Sequence, residues 1–369
     1  MHEKMGFFNR SLLALGIAAL SAVSVPTAHA QDSAPNDPLF PQQWNLAPAS
    51  QHGTGWIDAY HYLENRNSLF SPVVVAVLDA GINPHPDLPA SALWTNPDEI
   101  PHNELDDDHN GYVDDVHGCS FLPYQSEGCS DLSDNSYAQH GMTVTGVMAQ
   151  ESDNGIGSAG SLPNLPITYI PIRIMQKEGY VNYSDVVLGL EYVSALIEQG
   201  VPVRVINMSF SGFKEAHNLP RGDELLAQLH EQGVVLVAGS GNDGTDELGW
   251  PARNPHVLPV GAYGKDGTTL PLTTTGPGMV LAPGENIETV CYGNAPDYPA
   301  DQCRPSGTSM AAPHVSDLAA IIASAKPELS SDEILAIIKK TTRERKIDMM
   351  AALRETLDLQ QTFMPLVIK

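Results

Sequence analysis

Unbroken apolar runs, each stopped by glycine, aspartate or serine, recur along the chain with helix-like stretches between them. The run "PVVVAVLDAG" at 72–81 has no polar position before Asp79, the pattern of a strand buried on both faces. "ITYIPIRIM" (167–175), "VRVINMSF" (203–210) and "VVLVAGS" (234–240) predict three more strands. Between them the apolar spacing changes to threes and fours. In "SDVVLGLEYVSALIEQG" at 184–200, Val186, Val187, Leu190, Val193, Leu196 and Ile197 share one helical face, with Ser184 as the expected N-cap and Gly200 as the stop. "DELLAQLHEQG" (223–233) has the same spacing and ends in Gly233. "SSDEILAIIKK" (330–340) opens with a capping box of Ser330 and Glu333, and "KIDMMAALRETL" (346–357) predicts a last surface helix. Strands alternating with helices predict an α/β fold in three layers, a mostly parallel sheet with helices on both faces. In such a sheet ligands gather beyond the carboxyl ends of the strands, where Asp79 and Asn242 fall.

The start of the chain follows a different logic. Lys4 and Arg10 stand ahead of the apolar run "SLLALGIAALSAVSV", which ends at "AHA", residues 28–30. This predicts a secretory signal peptide over 1–30, followed by a single domain over 31–369. The run is short for a membrane span, and no cysteine follows the expected cleavage point to carry a lipid, so no stable membrane anchor is expected. The expected location is secreted or periplasmic. Removing residues 1–30 takes away Lys4, Arg10 and Glu3, leaving 17 basic and 43 acidic side chains and a net charge of −26. Such a balance excludes nucleic acid and anionic membrane surfaces as natural partners. Four cysteines suit an oxidising compartment and allow three pairings. Cys119 with Cys129 and Cys291 with Cys303 are favoured because each closes a short loop. No Cys-x-x-Cys is present, which argues against zinc.

The stretch "GTSMAAPHV" at 307–315 sets Ser309 where a flexible turn meets a helix. A serine there is ordinarily a cap. Asp79 at a strand end is ordinarily a turn residue, His140 in "YAQHGMTVTGVMAQ" ordinarily a helix-start group, and Gly241-Asn242 an ordinary turn. Together, however, they are the parts that amide hydrolysis needs: a nucleophile, a base, a carboxylate to orient the base and a donor for the oxyanion.

With these residues in view, the chain resembles the subtilisin-like serine proteases, the subtilases. The resemblance runs from "DPLFPQQWNL" (37–46) through Asp79-Ala80-Gly81, His140-Gly141, "INMSFSG" (206–212), Gly241-Asn242, "LAPG" (281–284) and "GTSMAAPHV" to "KIDMMAAL". The order Asp, His, Ser is also that of subtilisin. The resemblance implies Ser309 as nucleophile, His140 as general base and then acid, Asp79 as the group orienting it, and Asn242 as oxyanion donor beside the Ser309 N–H. No cofactor takes part in that chemistry. It further implies Ser209, Phe210, Ser211 and Gly212 as an edge that pairs with extended protein or peptide substrates. Gly239, Ser240 and Gly241, with Gly249 to Pro251, would line the pocket before the scissile bond. There Gly249 is expected to leave room for a large apolar side chain. Four departures from the family pattern stand out: Ala80, Met142, Thr143 and Asp317. Only residues 31–78 separate the expected cleavage point from Asp79, short of an inhibitory pro-domain. The expectation is therefore unaided folding, a folding helper or inhibitor acting in trans, or a sequence short at its start.

"NELDDDHNGYVDDVHG" at 103–118 places Asp106, Asp108 and Asn110 at alternate positions before Gly111, with Tyr112 offering a carbonyl and Asp114 a carboxylate. This is the front half of a calcium loop, with His117 where the bidentate Glu would stand. Structural calcium is the expectation; a solvated acidic turn is the alternative, and the oxygen-rich setting around His109 and His117 disfavours zinc. Three readings follow for the chain. The first is an exported serine endopeptidase. The others are a catalytically silent peptide-binding homologue and a calcium-dependent surface protein. An esterase is disfavoured, since no Gly-x-Ser-x-Gly surrounds Ser309.

Overall fold

The continuous apolar runs fold as the inner strands of one parallel sheet. The computed structural model describes residues 34–64, 70–123, 128–160, 162–163, 165–214, 219–291 and 302–357. The expected signal peptide lies outside the described residues. The strands are β1 (Val73–Asp79), β2 (Cys119–Ser120), β3 (Ile167–Arg173), β4 (Val203–Met208), β5 (Val235–Gly239), β6 (Val257–Tyr263) and β7 (Val280–Pro283). They form a seven-stranded sheet in the order β2-β3-β1-β4-β5-β6-β7, parallel at every pairing. A two-stranded antiparallel piece joins β8 (Thr289–Val290) to β9 (Gln302–Cys303).

The period of two along each strand sorts side chains onto two cores. On β1, Val73, Val75 and Val77 enter one cluster, while Val74, Ala76 and Leu78 enter the other. The first core is shared with α1 (Trp56–Leu63), α2 (His140–Ala149), α5 (Thr308–Ala325), α6 (Ser331–Thr341) and α7 (Met349–Thr356). The second is shared with α3 (Tyr183–Glu198) and α4 (Pro220–Glu231). Helices thus cover both faces, as the alternation predicts. The largest helix, α5, is buried on nearly every side, which suits its run of alanine, isoleucine and leucine.

Helix ends show where local chemistry is and is not readable. Ser330 and Glu333 form the expected capping box on α6, and Gly200 and Gly233 terminate their helices at φ of 88°. Ser184 is not the cap of α3. The helix starts two residues earlier than that, with Asn182 at the N-cap, and the Ser184 hydroxyl donates to Asp185 instead. α4 begins at Pro220, ahead of the expected start, because proline is pre-set for the first helical position. Cysteines pair as Cys119–Cys129 and Cys291–Cys303, the short-loop arrangement. The first pair ties β2 to the segment preceding α2. No helix of the described residues is long and apolar enough to cross a membrane.

The segment 37–46 is docked rather than trailing. Gln43 bonds the backbone of Ala159 through both ends of its amide, and Trp44 Nε1 donates to Glu285 O. Asn45 Nδ2 lies 3.0 Å from His314 Nε2 on α5. His314 Nδ1 faces the Met310 carbonyl at 2.8 Å, so Nδ1 carries the proton and Nε2 accepts from Asn45. Burial pushes this imidazole down to about 4, keeping it neutral.

Candidate active site

The order of the sheet decides where the polar residues meet. β1 lies between β3 and β4, so the chain leaves it for both halves of the sheet, and the carboxyl ends of β1, β4 and β5 open on one crevice. Asp79 is the last residue of β1, Ser209 follows β4, and Gly239 to Asn242 follow β5. His140 is the first residue of α2 and Ser309 the second of α5.

Asp79 is buried, 1 % exposed, and its Oδ1 accepts from the Ala80 amide at 2.8 Å and faces His140 Nδ1 at 2.7 Å. That contact places the proton of the neutral imidazole on Nδ1 and leaves Nε2 as the acceptor. Burial opposes charge on the ring. The Asp79 charge and hydrogen bond outweigh it, with the Asp134 charge adding to them, and the imidazole sits above its ordinary value. Two glycines make the approach possible. A Cβ on Gly141 would lie 2.1 Å from Gly81 O, and one on Gly81, at φ 99°, would lie 2.3 Å from Leu132 O. The His-Gly and Asp-Ala-Gly stretches are therefore packed backbone to backbone. Met142 and Thr143, the departures beside them, are wholly buried in α2.

Ser309 is not a cap. The N-cap position is Gly307, at φ 145°, and the Ser309 hydroxyl donates to the Ser209 carbonyl at 2.8 Å. The Ser209 hydroxyl donates back to Ser309 O at 2.9 Å and accepts from Asn207 Nδ2 at 3.0 Å. Ser316 Oγ closes the set on Asn207 Oδ1. This network fixes the end of β4 against the start of α5. Ser309 and His140 share no hydrogen bond among the described residues; the Ser309 hydroxyl is engaged by Ser209 O.

Asn242 Oδ1 accepts from the Thr308 amide at 2.9 Å and from Thr308 Oγ1 at 3.1 Å. The Nδ2 donor of the same amide makes no hydrogen bond among the described residues. Gly241 N–H donates to Thr308 Oγ1, which locks the turn after β5 onto the same helix start.

The segment expected to form the substrate edge follows β4. Gly212 N–H donates to Trp250 O at 3.0 Å, pairing the segment after β4 with the segment 249–251. Phe210, Ser211 and Gly212 are half-buried, whereas Gly239, Ser240 and Gly241 are buried. Gly249 has a different role from the one expected. A Cβ there would lie 2.5 Å from Gly212 O and 2.8 Å from Ser211 Oγ, so the missing side chain admits the neighbouring backbone rather than opening a pocket.

The acidic loop departs from the expected ligand set. Asp114 turns away, its two oxygens accepting from the Asn103 and Glu104 amides. His117 Nδ1 faces the Trp94 carbonyl. The carboxylates that converge are Glu99, Asp106 and Asp108, with ligand atoms within 4.8 Å of one another. Glu99 lies seven residues before Asp106, ahead of the motif, and sequence spacing did not point to it. Asn110 is bound up within the loop, its amide donating to Asp108 and Asp115.

The model of the subtilase family matches residues 71–358. The chain belongs to the subtilase family. It is 30% identical over 326 residues to an extracellular basic protease of Dichelobacter nodosus, covering 84% of this chain and 52% of that protein. It is 27% identical over 278 residues to subtilisin BL of Lederbergia lenta, covering 75% of this chain and 86% of that one. A solved structure of proteases from Pseudoalteromonas arctica superposes with a TM-score of 0.68 at 26% identity, covering 88% of this chain and all of that one. The chain spans about half the length of the Dichelobacter protein.

Proposed function

We propose that this chain is an exported serine endopeptidase that cleaves protein substrates through an acyl-enzyme on Ser309. The observation that carries the reading is the pairing of Asp79 with His140 at the end of β1, beside Ser309 bonded to the end of β4 and Asn242 bonded to the start of α5. Substrate main chain pairs with the Ser209–Gly212 edge. Ser309 Oγ attacks the carbonyl carbon as its proton passes to His140 Nε2, and Asp79 holds the imidazolium that results. Asn242 Nδ2 and the Ser309 N–H receive the developing oxyanion. His140 then gives its proton to the departing amine, and water releases the acyl group by the reverse sequence. Export is supported by the basic-apolar-small pattern at 1–30 and by the extracellular naming of the Dichelobacter relative. Incubation with denatured casein, with peptide ends read by mass spectrometry, tests the activity. Internal cleavage is expected; capture of peptides without cleavage would favour the silent binding homologue.

Asn242→Ala is expected to lower kcat by about 10²–10³-fold with little change in KM, because its amide acts on charge present only in the transition state. An equal rise in KM at constant kcat would remove Asn242 from that role.

The acidic loop fits a hard cation held by Glu99, Asp106 and Asp108. Glu99 is 6 % exposed, its Oε1 accepts from the Asp107 and Asp108 amides, and its buried Oε2 has no hydrogen-bond partner among the described residues. An orphaned carboxylate oxygen beside two more carboxylates suits calcium, whose oxygen ligands sit about 2.3–2.6 Å from the ion. Calcium here stabilises and takes no part in the chemistry. In Ser309→Ala protein, free of self-cleavage, calcium at about 100 times its Kd is expected to add about 2.7 kcal/mol. Glu99→Gln removes that increment; an unchanged calcium response in Glu99→Gln places the ion elsewhere.

A further inference from the structure

The helix that presents His140 has an unusual start. Its N-cap residue, Gln139, is left-handed at φ 47° and its side chain does not cap the helix. The opening amides are satisfied from a residue further back. Asp134, 5 % exposed, accepts the Met142 N–H through Oδ2 at 3.0 Å. Its Oδ1 accepts from Ser136 N–H at 2.9 Å and Ser136 Oγ–H at 2.6 Å. Ser136 Oγ in turn accepts the His140 N–H at 3.0 Å. Burial raises the Asp134 carboxyl and the Asp79 charge adds to this, while the three hydrogen bonds it receives from Ser136 and Met142 favour the carboxylate.

The loop that carries Asp134 is fixed to both strands beside the site. Asn83 Nδ2 donates to Asp134 O at 2.7 Å, and Ile82 N–H donates to Leu132 O at 2.7 Å, joining the loop to the turn after Asp79. Arg173, which pairs with Asp79 in the sheet register, holds Asp131 at 2.6 Å. A carboxylate is thus locked at the amino end of α2, where the helix dipole favours it.

We propose that Asp134 is a positioning residue for His140. It sets the first turn of α2 through Met142 and Ser136, and its charge supports Asp79 in stabilising the imidazolium that forms when Ser309 is deprotonated. The proposal rests on the serine-protease reading. The charged groups that act on His140 are Asp79 and Asp134, and Asp79 also acts on Asp134. Asp134→Asn keeps the size and removes the charge. A merely structural role would lower stability and leave the pH profile in place.

The test is kcat and KM for a peptide substrate from pH 5 to 9 with the full chain, Asp134→Asn, Asp134→Glu and Ser136→Ala. In Asp134→Asn the acid limb of kcat/KM is expected to move down by about half to one pH unit, with kcat lower by about tenfold and KM within twofold. Ser136→Ala removes an acceptor but no charge, so kcat falls and the limb stays. An unmoved limb in folded Asp134→Asn overturns the proposal. If that variant does not fold, Asp134→Glu, which keeps the charge but displaces it, decides: lower kcat with a shifted His140 titration supports the proposal, and an unshifted titration overturns it. NMR titration of His140 in Ser309→Ala protein reads the same charge effect without turnover. A parent that does not cleave would remove the protease reading, while an unshifted His140 titration would remove the role of Asp134 alone.

Discussion

Ser309→Ala is expected to reduce kcat by about 10⁵–10⁶-fold while leaving the fold nearly untouched. The two halves of that expectation come from different contacts. In the proposed mechanism the Ser309 hydroxyl is the group that forms the acyl bond. In the resting protein, however, it makes one hydrogen bond, to Ser209 O. The bond in the other direction, from Ser209 Oγ to the Ser309 carbonyl, needs no side chain at 309 and survives the substitution. Loss of the hydroxyl should therefore cost about 1 kcal/mol of stability at most. Peptide binding along Ser209–Gly212 uses main-chain groups and should persist. Single-turnover kinetics, thermal melting and binding of a non-cleavable peptide check the three parts. A variant that keeps a tenth of the parent rate would show that another nucleophile does the work.

Asp317→Asn is expected to stabilise the protein, and only above mildly acidic pH. Asp317 lies within α5, 4 % exposed, and burial pushes its carboxyl up to about 7. Its partner is Tyr169 Oη, 3.5 Å away, which has a shorter bond at 3.0 Å to Met148 O. The charged form is thus poorly compensated, whereas the neutral acid can donate its own proton to the Tyr169 oxygen. Below about pH 4 the group is protonated in folded and unfolded chains alike and contributes nothing. Between about 4 and 7 the folded state holds the proton that the unfolded chain releases, so stability falls as pH rises. Above about 7 the penalty is complete, at about 4 kcal/mol for a difference of about three pH units. Asp317→Asn removes the charge and keeps a donor facing Tyr169. Melting curves in a Ser309→Ala background should show Tm higher by about 5–10 °C at pH 8 and little changed at pH 4. Equal melting at both values would mean that the carboxylate is compensated within the fold. This departure from the family pattern is a buried acid between a helix and the sheet, and nothing in the structure gives it a part in the chemistry.

What could be read before the structure was known follows from how local each signal is. The run from Val73 to Asp79 declares a buried strand because all seven positions are covered, and the box at Ser330 and Glu333 is complete within four residues. β6, Val257–Tyr263, is not among the strands that the apolar runs predict. β7 is four residues long and β2 two, too short for any periodicity to show. In the site, Asp79, His140, Asn242 and Ser309 were found because each stands in a short motif. Glu99 and Asp134 stand in none. Their roles arise from loops that return in space, and only the accounting of buried oxygens and helix-end amides brings them out. Gly249 is the opposite case: in the sequence a missing side chain reads as space, whereas a Cβ there would lie 2.5 Å from Gly212 O. Ser309 at a helix start suggests a cap, but Gly307 takes the N-cap position and the Ser309 hydroxyl bonds Ser209 O instead.

The most direct test of the account is reaction of the purified chain with a fluorophosphonate, followed by peptide mapping. A single adduct on Ser309 is predicted, lost in His140→Ala although the serine remains, because the hydroxyl is nucleophilic only with the imidazole to take its proton. An adduct on another serine, or labelling of Ser309 that is indifferent to His140→Ala, would contradict the assembled site.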